Sequence, residues 1–414
     1  MAWVLEQDPP SDSENDNPFL PNALAHIVEL NIPDSDLVFP PRDLASYTHV
    51  LAPGTDQQNV VANATVRPTT LREADGRARA VDVDDGGEED MDVDDAASDT
   101  SSNLTEIGSL EFPEYFEQRG ERLFHSHGRS KYPFPVDGPE CKRMDAIHRI
   151  LLLAAGKNYE GPVGEVLAND EGGEKKMVVD LCTGTGSWTM EMAHEFPHIE
   201  FRGLDVVPIA TRYPLENVRF EMADVNHALR FRAASVDLVH ARMTSLAIED
   251  HPALLREVAR ILRPGGLFLS CEWVACPALH PAHPHRAHPD AYIPNTTRLS
   301  REVLRLLNGE QACIPALIRD TRAFTPPVET TRVLPIGRPF APPGSPPPSD
   351  GLQHIGEAMR LVAHGFAASV AAAAASKGQR EGERVAALAE EYKREIDEKS
   401  GLVAVWRTVW ARKV

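Results

Sequence analysis

The sequence predicts an α/β fold with a doubly wound, mostly parallel sheet, and three observations support this prediction. From about residue 138 onward, apolar β-branched runs alternate with stretches of helical periodicity. The apolar run 177–181 leads into Thr-Gly-Thr-Gly at 183–186 and then into an amphipathic stretch, which is the order strand, tight turn, helix. Acidic residues end the next two apolar runs, at Asp205 and Asp224. An open sheet of this kind binds its ligand outside the carboxyl ends of its strands.

The individual elements follow in a regular order after residue 137. A helix is expected up to Gly156, because apolar side chains from Met144 to Ala154 recur at helical spacing and glycine commonly ends a helix. The elements expected after it are a strand at 177–181, a helix at 188–196, strands at 201–204, 218–223 and 236–239, a helix at 254–262 ended by the turn 263–266, and a strand at 267–273.

The carboxyl-terminal part of the chain is less regular. Its expected elements are a helix at 301–307, a strand at 330–336, amphipathic helices at 352–370 and 385–396, and a last strand at 402–414 that pairs antiparallel with 330–336. The domain is therefore divided into a core (177–273), a proline- and histidine-rich insertion (275–298), and the carboxyl-terminal helices with the last strand (352–414).

Charge separates the amino-terminal part from the rest. The formal net charge is −20, and residues 1–110 hold 23 acidic and 5 basic side chains, which is 18 of these negative charges. Residues 81–95 contain nine acids and no base. Such a segment buries too little apolar surface to offset its ordering entropy, so 1–110 is predicted to be a disordered acidic tail before a domain at 111–414. The tail serves either as an interaction segment for a protein partner or as a solubilising extension.

The composition also indicates which kinds of partner the protein binds and in which cellular compartment it is found. The acidic balance argues against direct, nonspecific nucleic-acid binding. No run of 18 apolar residues occurs and the first residues lack the pattern of a signal peptide, so no membrane association is expected. Five scattered cysteines, an odd number, suit a reducing intracellular compartment, either the cytoplasm or the nucleus.

The acids at the strand ends suggest a nucleotide-like ligand. Asp205 lies 19 residues after Gly186, and a carboxylate at about this distance accepts hydrogen bonds from a ribose diol. This spacing alone suits both NAD and S-adenosyl-L-methionine. A dinucleotide motif has a third glycine where this chain has Thr189, and the second acid, Asp224, suits an adenine amino group, so S-adenosyl-L-methionine is favoured. The predicted cofactor-binding residues are Tyr132, Asp180, Cys182, Thr183, Gly184, Gly186, Asp205, Val206, Asp224, Val225 and Arg242.

Several further motifs resemble those of the fungal LaeA-like methyltransferases, which are related to a regulator of secondary metabolism. They are 131–137 (Lys-Tyr-Pro-Phe-Pro-Val-Asp), 143–148 (Arg-Met-Asp-Ala-Ile-His), 236–242, 263–266 and 406–413. Each motif is modest, but their order and spacing make the set specific. The resemblance implies a class I methyltransferase fold: a Rossmann-like, seven-stranded sheet in the order 3-2-1-4-5-7-6 with strand 7 antiparallel.

The resemblance also bears on individual residues. Cys182 stands where the methyltransferase pattern usually has glycine, and a position that required positive φ would cost a side chain with a Cβ about 1 kcal/mol or more. His240 and Arg242 are the candidate catalytic residues, because they follow the fourth strand. Arg242 has the alternative of binding the cofactor carboxylate or a neighbouring acid.

The aromatic-rich segment 112–135 is expected to form a lid over the cofactor, with Tyr132 nearest to it, because a closed and dry pocket favours the reaction. The alternative is that these aromatic side chains only pack against the outer helices. No metal site is expected: His280, His283, His285 and His288 lie in a proline-rich loop without a helix to fix ligand geometry.

Two functional classes are consistent with these patterns. The first is an enzyme that transfers a methyl group from S-adenosyl-L-methionine to a small molecule or a protein. The second is a regulatory protein that keeps the fold and the cofactor but acts by binding partners. The acids and glycines of the motif favour the enzyme.

Overall fold

The computed structural model describes residues 2–3, 107, 111–128, 130–169, 173, 175–273, 279–280, 282–283, 295–307 and 312–414. Its strands are β1 (Ala2–Trp3), β2 (Phe116–Arg119), β3 (Arg122–His125), β4 (Met177–Leu181), β5 (Glu200–Asp205), β6 (Val218–Met222), β7 (Val236–Arg242), β8 (Leu262–Trp273), β9 (Val328–Pro335) and β10 (Val403–Arg412). Its α-helices are α1 (Gly138–Ala155), α2 (Val163–Val166), α3 (Ser187–Glu195), α4 (His251–Ile261), α5 (Asn295–Leu307), α6 (Ile314–Thr321), α7 (Asp350–Ala375) and α8 (Gln379–Glu398).

The central sheet has the order β1-β6-β5-β4-β7-β8-β10-β9. Strands β4 to β8 are parallel to one another, whereas β10 runs antiparallel to both β8 and β9. Counted from β4, this is the order 3-2-1-4-5-7-6 with strand 7 antiparallel, so the predicted class I methyltransferase topology is confirmed. The two residues of β1 pair antiparallel with Phe220 and Glu221 at the edge of β6.

Capping residues set the bounds of α1, the helix that leads into the sheet. The carboxylate of Asp137 accepts a hydrogen bond from the backbone of Glu140, which caps the amino terminus. Gly156 ends the helix at φ 73°, a left-handed conformation that glycine adopts without strain. This helix agrees with its predicted limits.

Most elements differ from their predicted bounds by a few residues, and three of these differences concern β7, β8 and α5. The residues 263–266 lie within β8 instead of forming a turn before it: Val236 pairs with Leu262 and Leu238 pairs with Leu267, so the four residues between are accommodated as a bulge. His240 and Arg242 belong to β7, which is three residues longer than predicted. Helix α5 begins at Asn295, six residues earlier than expected.

Helices cover both faces of the sheet. On one face, α7 and α8 pack with α1 around buried apolar side chains such as Phe366, Val370 and Tyr392. On the other face, α4 and α6 pack on β7 and β8. Helix α7 is long and apolar enough to cross a membrane by length and composition, but much of it is buried within this core.

The segment before α1 contains a 3₁₀ turn (Phe112–Tyr115) and the hairpin β2–β3. Its aromatic side chains belong to different apolar clusters. Phe112 lies in the cluster that contains Ile107 and Trp188, and Phe116 lies in the cluster that contains Val136. Phe134 packs into the core around α7. Of the predicted acidic tail 1–110, the structure describes only residues 2–3 and 107. Most of the predicted insertion 275–298 also lies outside the described residues. Both assignments stay predictions.

Candidate functional site

The loop between β4 and α3 is organised by Asp180, the fourth residue of β4. The Oδ2 atom of Asp180 accepts hydrogen bonds of 2.7 Å from the hydroxyls of both Thr183 and Thr189. Its Oδ1 atom lies 2.7 Å from Nδ1 of His240 on the neighbouring strand. Burial raises the pKa of Asp180, but the electrostatic interaction with His240 and the hydrogen bonds from His240, Thr183 and Thr189 outweigh it and hold the pKa below its ordinary value. The carboxylate is therefore ionised and ties the loop to two strands.

His240 is the first candidate catalytic residue, and the structure places it beneath this loop. Its ring stacks on Trp188 with the centroids 3.6 Å apart, and the side chain is buried. Burial lowers the pKa of His240, so a neutral imidazole donates its Nδ1–H to the ionised Asp180. This arrangement makes His240 a support for Asp180, and His240 also lines the cavity, so its catalytic role stays a prediction.

Arg242, the second candidate, ends β7 and faces a cavity. Its Nη1 atom donates to Nδ1 of His148 at 3.1 Å. Among the described residues, no carboxylate lies within 4 Å of its guanidinium, and burial lowers its pKa. A guanidinium nevertheless stays protonated at neutral pH, so Arg242 presents a positive charge to the cavity without an acidic partner.

His148 and Glu191 form a buried layer behind Arg242, which the sequence reasoning did not assign to the site. The Nε2 atom of His148 lies 3.1 Å from Oε2 of Glu191. Since Nδ1 of His148 accepts from Arg242, the ring is neutral with its proton on Nε2. The only sequence signal was the Arg-x-Asp-x-x-His motif, whose Asp145 accepts hydrogen bonds from Thr185 of the glycine loop and from Ser187 at the start of α3.

Cys182 adopts a positive φ of 53°, the backbone conformation that would favour glycine at this position. The predicted strain at this position is therefore present, since a Cβ at positive φ costs about 1–2 kcal/mol.

The two glycines of the adjacent motif have different roles. Gly184 lines the cavity, whereas a Cβ on Gly186 would lie 2.5 Å from the Phe220 ring, so Gly186 allows α3 to pack on the sheet and does not line the cavity.

Replacing Cys182 by glycine is expected to give a more stable protein than replacing it by alanine, by about 0.5–1 kcal/mol. Both variants lose the sulfur atom, but only alanine keeps a Cβ at positive φ. Chemical denaturation of the two variants measures the difference. A glycine variant less stable than the alanine variant would show that the loop is not strained at this position.

Asp205 ends β5, as predicted, and its carboxylate lies against the glycine loop. Oδ2 accepts a hydrogen bond of 2.8 Å from the backbone of Gly184, and Oδ1 accepts from the backbone of Val206 at 2.8 Å and of Val207 at 3.2 Å. Burial raises the pKa of Asp205 to about 6, against 3.8 ordinarily. No basic side chain lies within 4 Å of this carboxylate among the described residues, so it can accept further donors from a ligand.

Asp224 follows β6 and is held from two sides. Its Oδ1 accepts from the backbone and the side chain of Asn226, at 3.0 and 2.9 Å. Its Oδ2 lies 3.1 Å from Nε2 of His127, which belongs to the segment before α1. Burial raises the pKa of Asp224, but the bonds from Asn226 and His127 outweigh this and lower it. His127 was not predicted, because its contact spans 97 residues of sequence.

These groups surround one cavity of about 360 Å³ at the carboxyl ends of the parallel strands. All predicted cofactor-binding residues line it except Gly186: Tyr132, Asp180, Cys182, Thr183, Gly184, Asp205, Val206, Asp224, Val225 and Arg242. The segment before α1 contributes His125, Ser130, Lys131 and Phe134 as well. It therefore reaches the cavity, although Phe112 and Phe116 pack elsewhere, and its action as a lid stays a prediction.

The histidine-rich loop gives no metal site within the described part of the chain, where no group of three potential ligands is found. His280 and His283 pack against the ring of Phe340 at 5.4 and 5.0 Å between centroids. His285 and His288 lie outside the described residues.

Comparisons with known proteins agree with this geometry. Residues 178–266 match the family model described as a methyltransferase domain. The secondary metabolism regulator laeA of Coprinopsis cinerea is 39% identical over 148 residues, 35% of this chain and 36% of that protein. The methyltransferase pytC of Aspergillus terreus is 32% identical over 170 residues, 41% of this chain and 49% of that protein. The chain thus spans less than half the length of these curated relatives.

Among solved structures, a geranyl diphosphate C-methyltransferase from Streptomyces coelicolor A3(2) is similar at a TM-score of 0.33, with 10% identity over 60% of this chain and 73% of that chain. The match of the family model and the relatives confirm the resemblance predicted from the motifs.

Proposed function

We propose that this chain, which carries a class I methyltransferase domain of the LaeA-like type, is an enzyme that transfers a methyl group from S-adenosyl-L-methionine to an acceptor. One observation supports this most: two acids, a glycine loop and a cation without an acidic partner converge on a single cavity at the carboxyl ends of parallel strands. A link to secondary metabolism and an intracellular location are part of the same proposal.

Each of these groups matches one part of the cofactor. Asp205 would accept from the ribose hydroxyls, since its carboxylate lacks a basic partner, and Asp224 would accept from the adenine amino group. Arg242 would bind the carboxylate of the methionine part, which neutralises a charge that is otherwise unpaired. Gly184 would lie against the part of the cofactor between the ribose and the methionine carboxylate. A larger side chain at this position would narrow the cavity.

The bound cofactor supplies an electrophilic methyl group on a positively charged sulfur. The task of the protein is to hold an acceptor atom in line with that methyl group and to keep water out. Orientation of this kind contributes about 7–11 kcal/mol in favourable cases. Tyr132 and Phe134 of the segment before α1 border the cavity and would limit the entry of water.

The alternative is a regulatory protein that binds the cofactor but transfers no methyl group. Cys182 in place of glycine and the name of the Coprinopsis cinerea relative, a regulator, are the observations that favour it. The two functions differ in whether the methyl group is transferred from the cofactor to another molecule.

We would incubate the full chain with methyl-labelled S-adenosyl-L-methionine and an extract of its source organism. Label is expected in an acceptor, and the Asp205→Ala variant should transfer little of it. The exposed Asp320→Ala variant, which removes an acid that does not line the cavity, serves as the matched control. Binding of the cofactor without any transfer would favour the regulatory alternative.

Cofactor affinity is expected to fall as the pH drops through about 6, which is the pKa of Asp205. Donors from a ribose favour the ionised carboxylate, so binding lowers this pKa. Affinity should therefore be level above pH 6 and weaken by up to about tenfold for each pH unit below it. Calorimetry between pH 5 and 7.5 measures this slope. If Asp205→Ala keeps the same slope, the titrating group is a different one.

A further inference from the structure

Part of the cavity lining is aromatic. Four rings in consecutive contact, which we call the aromatic wall, line the cavity: Tyr132, which is also a predicted cofactor-binding residue, Phe134, Phe366 and Trp273. The ring centroids lie 5.7 Å apart from Tyr132 to Phe134, 5.6 Å from Phe134 to Phe366, and 4.9 Å from Phe366 to Trp273. Aromatic rings in such edge-to-face and tilted arrangements provide surfaces on which another flat ring packs favourably.

Aliphatic side chains also line the cavity. Met243 and Leu246 follow β7, and Val303 and Leu304 belong to α5. Three lysine or arginine side chains line the cavity. Arg143 is paired with Glu140 and lies over the Phe366 ring at 5.8 Å, Lys131 lies 3.3 Å from Glu249, and Arg242 is assigned above to the cofactor carboxylate. With the cofactor bound, an anionic acceptor would therefore lack an available cation, whereas an uncharged apolar molecule would fit.

A further acid, Glu272, lines the same cavity from the end of β8. The residue is 8% exposed, and Oε1 accepts hydrogen bonds from the backbone and the hydroxyl of Thr244, at 2.8 and 3.0 Å. No basic side chain lies within 4 Å of its carboxylate among the described residues. Burial raises the pKa of Glu272. A buried carboxyl without a basic partner beside a cavity is a common feature of groups that exchange protons with a substrate.

We propose that the aromatic wall binds the methyl acceptor, that this acceptor is a flat, uncharged aromatic compound bearing a hydroxyl group, and that Glu272 takes the hydroxyl proton. This inference rests on the proposed function. A protonated amine suits the site less well, because pairing with Glu272 would hold it in its cationic form, which has no free electron pair for the methyl group.

The reaction balances with these groups. A lone pair of the hydroxyl oxygen forms the bond to the methyl carbon, the carbon–sulfur bond breaks, and its electron pair stays on sulfur, which becomes neutral. The hydroxyl proton moves to the carboxylate of Glu272 and then to solvent. The products are an aryl methyl ether and the neutral thioether of the cofactor.

The test uses 2-naphthol as the probe, with the full chain saturated with S-adenosylhomocysteine. Calorimetry should show that 2-naphthol binds at least roughly tenfold more tightly than either 2-naphthoate, which carries a negative charge on the same ring system, or cyclohexanol, which is not aromatic. Phe366→Leu should weaken 2-naphthol binding several-fold, whereas Phe340→Leu, a matched change outside the cavity, should leave it unchanged.

The role of Glu272 is tested by turnover of 2-naphthol with S-adenosyl-L-methionine, followed as the methyl ether by mass spectrometry. Glu272→Gln keeps an oxygen for Thr244 but cannot take a proton, so the rate should fall about a hundredfold while 2-naphthol binding is kept. The rate of the unaltered protein should rise with pH as Glu272 ionises, and this rise should be absent in the variant. The exposed Glu216→Gln is the control.

The outcomes separate this inference from the proposed function. If S-adenosylhomocysteine binds but 2-naphthol does not, or 2-naphthoate binds equally well, the assignment of the acceptor is wrong and the proposed function stands. Bound 2-naphthol that is not methylated, or an unchanged rate in Glu272→Gln, would overturn the role of the hydroxyl or of Glu272. If S-adenosylhomocysteine itself does not bind, both proposals fail.

Discussion

Replacing Asp180 by alanine is expected to lower the free energy of unfolding by about 3–5 kcal/mol, the largest effect that we expect from a single substitution in the site. The carboxylate is buried and satisfies three donors, the hydroxyls of Thr183 and Thr189 and the Nδ1–H of His240. Its removal leaves the imidazole donor buried beneath Trp188 without a partner, and a small cavity beside it.

Chemical denaturation monitored by circular dichroism measures this loss. Asp180→Asn should lose less, because the amide oxygen can still accept one of the hydrogen bonds. The exposed Asp320→Ala should stay within about 0.5 kcal/mol of the unaltered protein. A stable Asp180→Ala variant would mean that the hydrogen bonds of Asp180 do not organise the glycine loop.

Replacing Asp205 by alanine is expected to weaken S-adenosyl-L-methionine binding by about 2–3 kcal/mol, or roughly 30- to 150-fold. The loss has two sources. The variant lacks the carboxylate that would accept from the ribose, and it frees the backbone N–H of Gly184, which Asp205 holds at 2.8 Å. Folding should suffer little, because burial disfavours the charge on Asp205 in the folded protein.

Calorimetry at pH 7.5 gives the affinity, and a thermal melt confirms that the variant is folded. An affinity equal to that of the unaltered protein would remove Asp205 from the site. The opposite pattern, a large loss of stability with little loss of affinity, would make Asp205 a residue that supports the loop only.

The sequence predicted the parts of the fold and of the site that depend on local order along the chain. Asp205 and Asp224 were placed correctly, because an acid directly after a buried strand must lie at the sheet edge where the other parallel strands end. The alternation of apolar strands with helices predicted the parallel sheet, whereas the strand order came from the family resemblance and agrees with the observed order. Even the bulge at 263–266 was recognised as an interruption, although it lies inside β8 and not before it.

The sequence did not predict properties that depend on distant contacts. His240 was expected to face the reacting groups, and it lines the cavity, but its burial and its stacking on Trp188 of α3 cannot be read from its position in a strand. Arg242 was correctly placed at the cavity, yet its lack of an acidic partner is visible only in three dimensions. The aromatic wall joins rings from the segment before α1, from β8 and from α7, which are separated by up to 234 positions between Tyr132 and Phe366.

The central claim is that the cavity binds S-adenosyl-L-methionine through Asp205, Asp224 and Arg242. It is tested most directly by calorimetric titration of the full chain with S-adenosylhomocysteine and, separately, with NAD. We expect one molecule of S-adenosylhomocysteine to bind per chain and NAD not to bind, with the S-adenosylhomocysteine signal reduced in Arg242→Gln. Binding of NAD, or tight binding of S-adenosylhomocysteine that is unaffected by changes at both Asp205 and Arg242, would contradict the claim.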